Sequence, residues 1–418
     1  MSPLKVFSTL RNHWKKSLFA LGAASYGVSY STEKYKISQL MREYCEESAK
    51  YGDVTINAAV PPRRILVILN PAANKRSAEK TFAKYCEPIL HLGGFLVDVV
   101  KTDSEGHATR YIEELEQLPD GILVAGGDGT ASETVTGLMR RTSRKICPLG
   151  ILPLGRTNSV ATKLHNFMLD GTNYDEVKCL ADSTISVVRG KTKKKNIMKI
   201  QPLDKNEESE VKPIFALASL HWGAFRDVIS LRDKYWYVGP LRDYAASLFN
   251  AFDSALTWNC RAKIIYTPPC NGCSNCFLKS DEQLLVTGRW WGRFIPKFKL
   301  GQQAQSTPDF SHVINENCTK ADSIEISPSE VILSASDDDS DLPRLTVEVE
   351  KPMETGFDFI KESWQRIRTK ELKTSRAVEG RTIELIPEQL SSEDKEIYYS
   401  IDSEAYEVRP VKVSIVPK

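Results

Sequence analysis

Four short apolar runs in the first half of the chain predict β-strands, because each is an aliphatic stretch bounded by turn or polar residues: 65–70, 95–102, 121–126 and 147–155. Three stretches between them have helical spacing and predict helices: 77–92, 107–118 and 131–141. Strands that alternate with helices of this length predict βαβ units and a parallel sheet.

The pattern changes after about residue 184. Five β-rich runs separated by polar stretches predict a second, antiparallel domain: 214–220, 261–268, 344–351, 381–388 and 408–417. One helix is predicted over 241–253. Charged stretches at 191–196 and 204–210 predict exposed loops, and the acidic tract 334–341 predicts a solvated, disordered segment.

These patterns predict an α/β domain followed by a β-rich domain. Residues 1–60 are assigned to a targeting or membrane-association segment with a linker, and 61–185 to the α/β domain. Residues 186–418 form the β-rich domain, with disordered loops over about 265–340 and C-terminal strands that return to the cleft. Ligands of parallel sheets bind beyond the carboxyl ends of the strands, so we expect the functional loops there.

The overall composition excludes several classes of protein. The 418 residues include 56 Lys and Arg against 54 Asp and Glu, a net charge of +2, which argues against a nucleic-acid partner bound through bulk charge. Nine cysteines are too few for a disulfide scaffold of this length. No apolar stretch approaches the roughly 18 residues of a membrane-spanning helix.

The N-terminal end differs from this average. Residues 1–32 contain four basic residues and no acid, and an apolar run of small and hydroxyl residues covers 17–30. This composition is typical of mitochondrial targeting or anchoring segments, although a secretory signal is the competing interpretation. Four apolar residues recur at helical spacing and suit a membrane interface: Leu4, Phe7, Leu10 and Trp14.

The strongest local motif is Gly-Gly-Asp-Gly-Thr at 126–130, which directly follows a predicted strand and opens a helix. Glycines allow close backbone approach to a ligand, and the free N–H groups of a helix start favour a phosphate. Thr130 and Glu133 have the spacing of a capping box. Asp128 stands between glycines and is therefore open to a ligand.

Two further loops follow predicted strands in the same way. Asn-Pro-Ala-Ala-Asn-Lys covers 70–75, and Pro-Leu-Gly-Arg-Thr-Asn covers 153–158. Three phosphate-compatible loops at one edge of a sheet predict a nucleotide site. The motifs of classical P-loop proteins and of protein kinases are absent from the sequence, which excludes both classes.

The order and spacing of these motifs over 63–185 resemble the catalytic domain shared by diacylglycerol, sphingosine and ceramide kinases. Further stretches resemble the acylglycerol kinases in particular: 10–16, 88–94 with 100–103, 221–227, 234–241 and 400–407. The resemblance covers most of the chain and is weakest over about 265–340. The sequence departs from the family pattern at Ser403, which replaces the glycine of a D-G-E motif, and at Arg156-Thr157.

The resemblance implies a catalytic centre of Asp128, Asp402 and Glu404, with Mg²⁺ near these three carboxylates. It implies ATP contacts from eight residues: Asn70, Lys75, Thr102, Gly126, Gly127, Gly129, Thr130 and Arg242. It further implies that Asp227 hydrogen-bonds the polar end of a lipid substrate. From the residues alone, Asp227 can instead pair with Arg226 or Arg232, Arg242 can be solvated, and Thr102 can be an ordinary strand-end hydroxyl.

The implied activity is ATP- and Mg²⁺-dependent phosphorylation of monoacylglycerol and diacylglycerol to lysophosphatidic and phosphatidic acid. The implied location is the mitochondrial inner membrane surface, on the intermembrane-space side. Family members also act as subunits of the carrier translocase there, so translocase subunits are implied partners. Two alternatives stay open: a sphingosine or ceramide kinase, and a kinase-independent scaffold for protein import.

One motif is outside this resemblance. Cys270, Cys273 and Cys276 offer three thiols at metal-ligand spacing, which suits a structural Zn²⁺ with a fourth ligand from Cys260, Cys318 or a histidine. A disulfide between two of the three, or unligated loop thiols, are the alternatives.

Overall fold

The computed structural model describes residues 14–53, 61–141, 147–165, 172–203, 212–252, 257–258, 260–270, 273–274, 312–336, 343–353, 355–369, 374–388 and 397–416. Several predictions lie outside these residues, namely those for Leu4, Phe7, Leu10, Cys276, 204–210 and 337–341. Within the described part of the chain, no helix combines the length and the apolar character needed to cross a bilayer.

The first half of the chain forms the predicted parallel sheet. Its four strands have the order β2-β1-β3-β4 and are β1 (Arg63–Leu69), β2 (Phe95–Lys101), β3 (Gly121–Gly126) and β4 (Leu149–Pro153). The two central strands, β1 and β3, are almost wholly buried, whereas β2 at the edge is buried only at Phe95 and is otherwise half-buried or exposed. Burial on both faces explains why the central strands read as continuous aliphatic runs.

Helices cover both faces of this sheet. They are α2 (Ala78–Tyr85), α3 (Glu87–Leu92), α4 (His107–Glu114), α5 (Asp128–Arg140), α6 (Ser159–His165) and α7 (Asn173–Val188). The prediction of one helix over 77–92 was wrong, because two helices meet at Cys86. Pro88 stands in the first turn of α3, where its missing N–H costs no hydrogen bond, but it cannot continue an existing helix.

A 39-residue helix, α1 (Trp14–Gly52), precedes the sheet. Its second half packs on the α/β layer, where Ile37 and Leu40 are buried against Tyr85 and Val177. Ser48 is also buried and donates a hydrogen bond to the Ile89 carbonyl at 2.5 Å. The α/β layer therefore includes residues that precede position 61.

The second half contains two six-stranded antiparallel sheets. One has the order β12-β11-β10-β7-β14-β15 and the other the order β6-β5-β16-β13-β8-β9. The strands are β5 (Ile197–Pro202), β6 (Ile214–Ala216), β7 (Ser219–Gly223), β8 (Ala262–Thr267), β9 (Asp322–Ile326), β10 (Glu330–Ala335), β11 (Leu345–Glu350), β12 (Thr374–Gly380), β13 (Thr382–Pro387), β14 (Tyr398–Ile401), β15 (Glu404–Glu407) and β16 (Val411–Val416). Residues of both sheets share one buried core, so the sheets pack face to face as a sandwich.

Helical segments cover one end of the sandwich. They are α8 (Ala224–Leu231), a 3₁₀ segment (Arg232–Leu241), α9 (Arg242–Asn250) and α10 (Gly356–Thr369), and a short 3₁₀ turn lies at Glu316–Thr319. Their shared apolar contacts include Val228, Ala246 and Phe359. The helix predicted over 241–253 corresponds to α9.

Two loop predictions need correction. Strands β9 and β10 lie inside the range 265–340, so this range is not disordered loop throughout, and Ser334 and Ala335 belong to β10 rather than to a disordered tract. The stretch 191–196 has no regular structure and is mostly exposed, as predicted, but Asn196 at its end is buried. The Asn196 side-chain N–H donates to the Ser336 carbonyl at 2.8 Å, while its side-chain oxygen is buried without a hydrogen-bond partner among the described residues.

Hydrogen bonds join the two halves of the chain at helix α5. The Phe215 carbonyl accepts from the hydroxyls of Ser132 at 3.2 Å and Thr136 at 3.3 Å. The Phe215 N–H donates to the Thr136 hydroxyl at 3.1 Å. Strand β6 is thereby fixed to the helix that begins with the Gly-Gly-Asp-Gly-Thr motif.

Candidate functional site

The carboxyl ends of the four parallel strands are level with one another. Leu69 of β1 is opposite Lys101 of β2 and Ala125 of β3, and Gly126 is opposite Pro153 of β4. The loops that follow these strands therefore begin at the same edge of the sheet. This is the edge at which parallel sheets bind ligands.

The loop 126–130 and the loop 153–158 are in direct contact through their backbones. A Cβ atom at Gly155 would lie 2.1 Å from the Gly127 Cα, so no other residue fits between these chains. Across the same contact, the Asp128 N–H donates to the Thr157 carbonyl at 3.1 Å. Asn158 closes the turn by bonding both the N–H and the carbonyl of Gly155 at 2.9 Å.

The side chains of Asn70 and Thr130 are in contact, which joins the loop after β1 to the first turn of α5. The Asn70 side-chain N–H donates to the Thr130 hydroxyl at 3.3 Å, and the side-chain oxygen of Asn70 accepts from the Ala72 N–H at 3.0 Å. The Thr102 N–H donates to the Leu69 carbonyl at 2.9 Å, which places Thr102 beside the same strand ends.

Lys75 lies in an unusual turn. Asn74, Lys75 and Arg76 have φ values of 47°, 55° and 65°, a left-handed run of three residues that are not glycine. Left-handed backbone costs about 1 kcal/mol or more for such residues, and strain of this kind is concentrated at functional sites. All three side chains are exposed, so the turn presents two cationic groups and an amide beside the loop of Asn70.

The expectation that Asp128 is open to a ligand was wrong, because it is buried at the start of α5 with 1% of its surface exposed. One carboxylate oxygen accepts from the N–H of Ser159 at 2.9 Å and from its hydroxyl at 2.7 Å, and the other accepts from the Val160 N–H at 3.0 Å. The carboxylate therefore caps the start of α6 and fixes the 153–158 loop against the Gly-Gly-Asp-Gly-Thr loop.

Asp402 and Ser403 form the two-residue turn between β14 and β15. Their φ values of 46° and 71° are the left-handed pair of a type I′ hairpin turn. The Asp402 carboxylate is buried and accepts three backbone N–H groups, from Leu217 at 2.7 Å, Ala218 at 2.8 Å and Ser219 at 3.1 Å. Burial raises the pKa of Asp402, these three N–H donors lower it, and the nearby Asp128 charge raises it again.

Glu404 follows this turn and faces the glycine loop. A Cβ atom at Gly129 would lie 2.3 Å from a Glu404 carboxylate oxygen, so Gly129 gives the carboxylate its space. The Tyr406 hydroxyl donates to Glu404 at 2.9 Å. The pKa of Glu404 is raised to about 7, mainly by burial and also by the charges of Glu133 and Glu105, while the Tyr406 hydrogen bond lowers it.

Carboxylates beside Gly129 are of the type that binds a magnesium ion, and among the described residues no three of them lie close enough to share one ion. The charges of Glu133 and Glu105 contribute to the raised pKa of Glu404, so further carboxylates lie near this side chain. Mg²⁺ prefers hard oxygen ligands such as carboxylates and phosphates. By contrast, the oxygens of Asp128 and Asp402 are engaged by protein donors.

The predicted lipid residue Asp227 lies in the first turn of α8. It accepts from Arg226 at 3.1 Å and from the Thr257 N–H at 2.8 Å. The pairing with Arg226 corresponds to the structural alternative noted from the sequence, and Arg232 is not its partner among the described contacts. Asp227 is half-buried, so it is not a plain surface residue.

Arg242 belongs to a cationic group that the sequence alone did not reveal. Its nearest acidic neighbour is Asp243 at 3.7 Å. Burial lowers the pKa of Arg232, Asp243 raises it, and the charges of Arg242 and Arg156 lower it, so the three guanidinium groups are close. Arg156 also pairs with Asp233, which joins the 153–158 loop to the 3₁₀ segment. A hydrophobic pattern cannot indicate such a cluster, because its members are far apart in sequence.

A cysteine that is distant in the sequence lies beside the cysteine motif. Cys270 and Cys273 lie beside Cys318, which was one of the candidate fourth ligands. Cys260 is elsewhere, within 3.6 Å of the Trp222 carbonyl oxygen.

The fold and these loops define the class of protein. The sequence profile of the diacylglycerol kinase catalytic domain matches residues 64–200. A putative diacylglycerol kinase from Bacillus anthracis has the same fold, with a TM-score of 0.50 at 15% identity over 86% of this chain and 95% of that structure. The chain is therefore a lipid kinase of the diacylglycerol kinase type.

The second half of the chain narrows this class. The profile of the acylglycerol kinase C-terminal region matches residues 217–418. Mitochondrial acylglycerol kinase from Homo sapiens is 32% identical over 99% of this chain and 94% of its own length. The Mus musculus protein of the same name is 31% identical over the same shares. This chain belongs to the acylglycerol kinase family.

Proposed function

We propose that this protein transfers the γ-phosphoryl group of ATP to the free hydroxyl of monoacylglycerol and diacylglycerol, which yields lysophosphatidic and phosphatidic acid. The observation that carries the proposal is the position of Glu404, a carboxylate with a pKa near 7 beside the glycines of a phosphate-compatible loop. A proton acceptor works best when its pKa lies near the working pH.

The glycine loops are assigned to the nucleotide. Phosphoryl transfer depends on positioning and on neutralising charge, which backbone N–H groups and cations supply. Gly126, Gly127, Gly129 and Thr130 would face the phosphates, with Asn70, Thr102 and Lys75 along the nucleotide. Arg242 contributes positive charge from the second half of the chain.

The carboxylates have different proposed roles. Glu404 accepts the proton of the attacking hydroxyl. Asp128 and Asp402 are positioning residues, because their oxygens hold the start of α6 and the β14–β15 turn. Bound Mg²⁺ would neutralise the phosphates, and the carboxylates of Glu133 and Glu105, whose charges act on Glu404, would help to hold it.

The lipid is assigned to the helical end of the sandwich. Asp227 would hydrogen-bond the glycerol end of the substrate from the first turn of α8. Several large apolar side chains of the neighbouring segments are exposed, including Trp236 at 76%, Phe249 at 63% and Phe357 at 73%. Exposed aromatic residues of this kind suit the interface of a membrane, from which an acyl chain could enter.

A kinase assay with radiolabelled ATP tests the activity and the substrate class together. The panel contains monoacylglycerol, diacylglycerol, sphingosine and ceramide in mixed micelles with Mg²⁺. We expect labelling of the two glycerolipids, and labelling of sphingosine or ceramide alone would contradict the proposal.

The Glu404→Gln variant tests the proton acceptor. A positioned base contributes about 10²–10⁴-fold in rate, so we expect a loss of this size in kcat with little change in KM for ATP. Glu407→Gln is the matched control, because Glu407 is an exposed residue of the same hairpin that pairs with Arg409. A loss below about tenfold in Glu404→Gln would contradict the assignment.

We also propose that the protein acts at the mitochondrial inner membrane, on its intermembrane-space side, and that it serves there as a subunit of the carrier translocase. The names of its relatives support the organelle. The first half of α1 supports a docking role, since Trp14, Leu18, Phe19 and Leu21 are 60–81% exposed. Such a role does not require phosphoryl transfer.

Two experiments test this second role. Protease treatment of intact mitochondria and of mitoplasts should degrade the protein only after the outer membrane is opened. Cells that lack the protein should regain carrier import with Glu404→Gln as well as with the unaltered chain. Failure of both chains to restore import would contradict the scaffold role but not the kinase.

A further inference from the structure

Three buried cysteines form a separate cluster away from the kinase site. Cys270 and Cys273 lie in the segment after β8, and Cys318 lies in the short 3₁₀ turn Glu316–Thr319. Their Sγ atoms all lie within 4.8 Å of one another. The side chains are 7%, 0% and 3% exposed.

Within the described part of the chain, no larger apolar core accounts for this burial. The cluster there consists of the three cysteines, separate from the large core of the sandwich. A set of thiols gathered in this way forms no extended hydrophobic core. Their common property is that each can supply a thiolate to one central ion.

Two polar groups contact the cluster. The Asn315 side-chain amide donates to the Cys270 Sγ at 3.2 Å, as outer-shell donors do around metal-bound sulfur. The Arg381 guanidinium donates to the Cys318 backbone carbonyl. These contacts hold the segments that carry Cys270 and Cys318 in position.

The distances suit a tetrahedral ion. With Zn–S bonds of about 2.3 Å, tetrahedral geometry places two sulfur ligands about 3.8 Å apart, so a small contraction of this cluster is sufficient. A disulfide would join only two of the three thiols and leave one buried beside them. Thiolate ligands select zinc over magnesium or calcium, which prefer oxygen.

We propose that Cys270, Cys273 and Cys318 bind one structural Zn²⁺, with each thiol releasing its proton on binding. Among the described residues no fourth histidine, cysteine or carboxylate joins this group, so the proposal covers three ligands of the ion. The ion would fix the chain after β8 to the 3₁₀ turn. Through Arg381, this turn is already tied to the junction of β12 and β13.

Metal analysis of the full-length protein tests the proposal. The chain is purified under reducing conditions without chelators, and zinc is counted by plasma mass spectrometry. We expect about one zinc per chain, and binding of Zn²⁺ to the metal-free protein should release roughly three protons or fewer according to pH. Absence of stoichiometric zinc, both as purified and after titration with Zn²⁺, would overturn the proposal.

Variants connect the metal to these residues. The double variant Cys270→Ser/Cys318→Ser should lose zinc, and Asn315→Ala should weaken zinc affinity by about 10–100-fold in competition with a chromophoric chelator. Cys147→Ser is the matched control, because Cys147 is 7% exposed like Cys270 but lies under the parallel sheet. Equal zinc content in the double variant and the control would overturn the site.

A measurement on the unaltered chain covers the case in which the double variant does not fold. Co²⁺ exchanged into the site should give the near-ultraviolet charge-transfer absorption of thiolate ligands. Absorption typical of oxygen and nitrogen ligands alone would overturn the proposal, as would a disulfide found among the three cysteines in the purified protein. Neither result bears on the kinase activity, which uses other residues.

Discussion

The two halves of the chain build the kinase site by different physical means. In the α/β half, glycine backbones touch directly, and the site depends on the absence of side chains at Gly155 and Gly127. In the sandwich half, one hairpin places the buried Asp402 carboxylate against three backbone N–H groups and the half-buried Glu404 carboxylate beside Gly129. The substitutions that the first half can accept are therefore limited by steric fit. Those that the second half can accept are limited by the electrostatics of its carboxylates.

The steric limit predicts the largest effect. Gly155→Ala should destabilise the fold by about 3 kcal/mol or more, because its Cβ would lie 2.1 Å from the Gly127 Cα and the backbone must move. Urea unfolding measures the loss. Gly22→Ala is the control, since Gly22 lies on exposed helix α1 with no atom within 4 Å of the added Cβ. Equal stability of the two variants would contradict the steric account of this half.

Removal of the Asp402 hydrogen bonds should have the next largest effect. Asp402→Asn turns a carboxylate that accepts three N–H groups into an amide with one acceptor oxygen, so we expect a loss of about 2–3 kcal/mol. Asp322→Asn on exposed strand β9 is the control and should be neutral. If both variants unfold at the same urea concentration, the hairpin is not held by these hydrogen bonds.

The charge of Glu404 should act in the opposite direction. Its folded pKa of about 7 exceeds the value near 4.3 of an unfolded glutamate, so the folded state binds the proton more tightly and loses stability as pH rises from about 4 to 7. Glu404→Gln should therefore be more stable than the unaltered chain by about 1–2 kcal/mol at pH 8 and similar to it near pH 4. Thermal unfolding over this pH range measures the difference, and a gap independent of pH would contradict it.

The smallest effect concerns Ser403. Its φ of 71° is the left-handed region that favours glycine, so Ser403→Gly should stabilise the hairpin by about 0.5–1 kcal/mol. The hydroxyl of Ser403 lies 3.5 Å from the Asp128 carboxylate, a weak contact whose loss costs little. Ser414→Gly in strand β16 is the control and should be destabilising. A loss of stability in both variants would show that the Ser403 hydroxyl outweighs the strain.

Local sequence patterns predicted the parallel sheet but not everything around it. Strands β1 and β3 were evident because burial on both faces leaves continuous aliphatic runs. Strands such as β9 and β12 alternate or are largely exposed, and no local signal separates them from loops. The helix break at Cys86 was missed because the apolar spacing of 77–92 continues across it.

The candidate site shows the same limit. The glycine loops were predicted because strand, turn and helix are adjacent in the sequence. The resemblance to a known family supplied Asp402 and Glu404, since no local pattern links residue 404 to residue 129. The role of Asp128 as an acceptor for Ser159 and Val160 depends on how two loops pack, which spacing alone does not determine.

The contact between Phe215 and helix α5 predicts how the fragments of the chain behave after proteolytic cleavage. Two hydroxyls of α5 bond the backbone of Phe215, and apolar residues of both halves pack around it. A chain cleaved between 204 and 211 would thus keep its fragments associated, and the N-terminal piece would retain strand β5 within the sandwich. Two pieces produced separately should therefore assemble into one complex. The covalent link between them is dispensable for assembly, whereas the pairing of β5 with β16 is not.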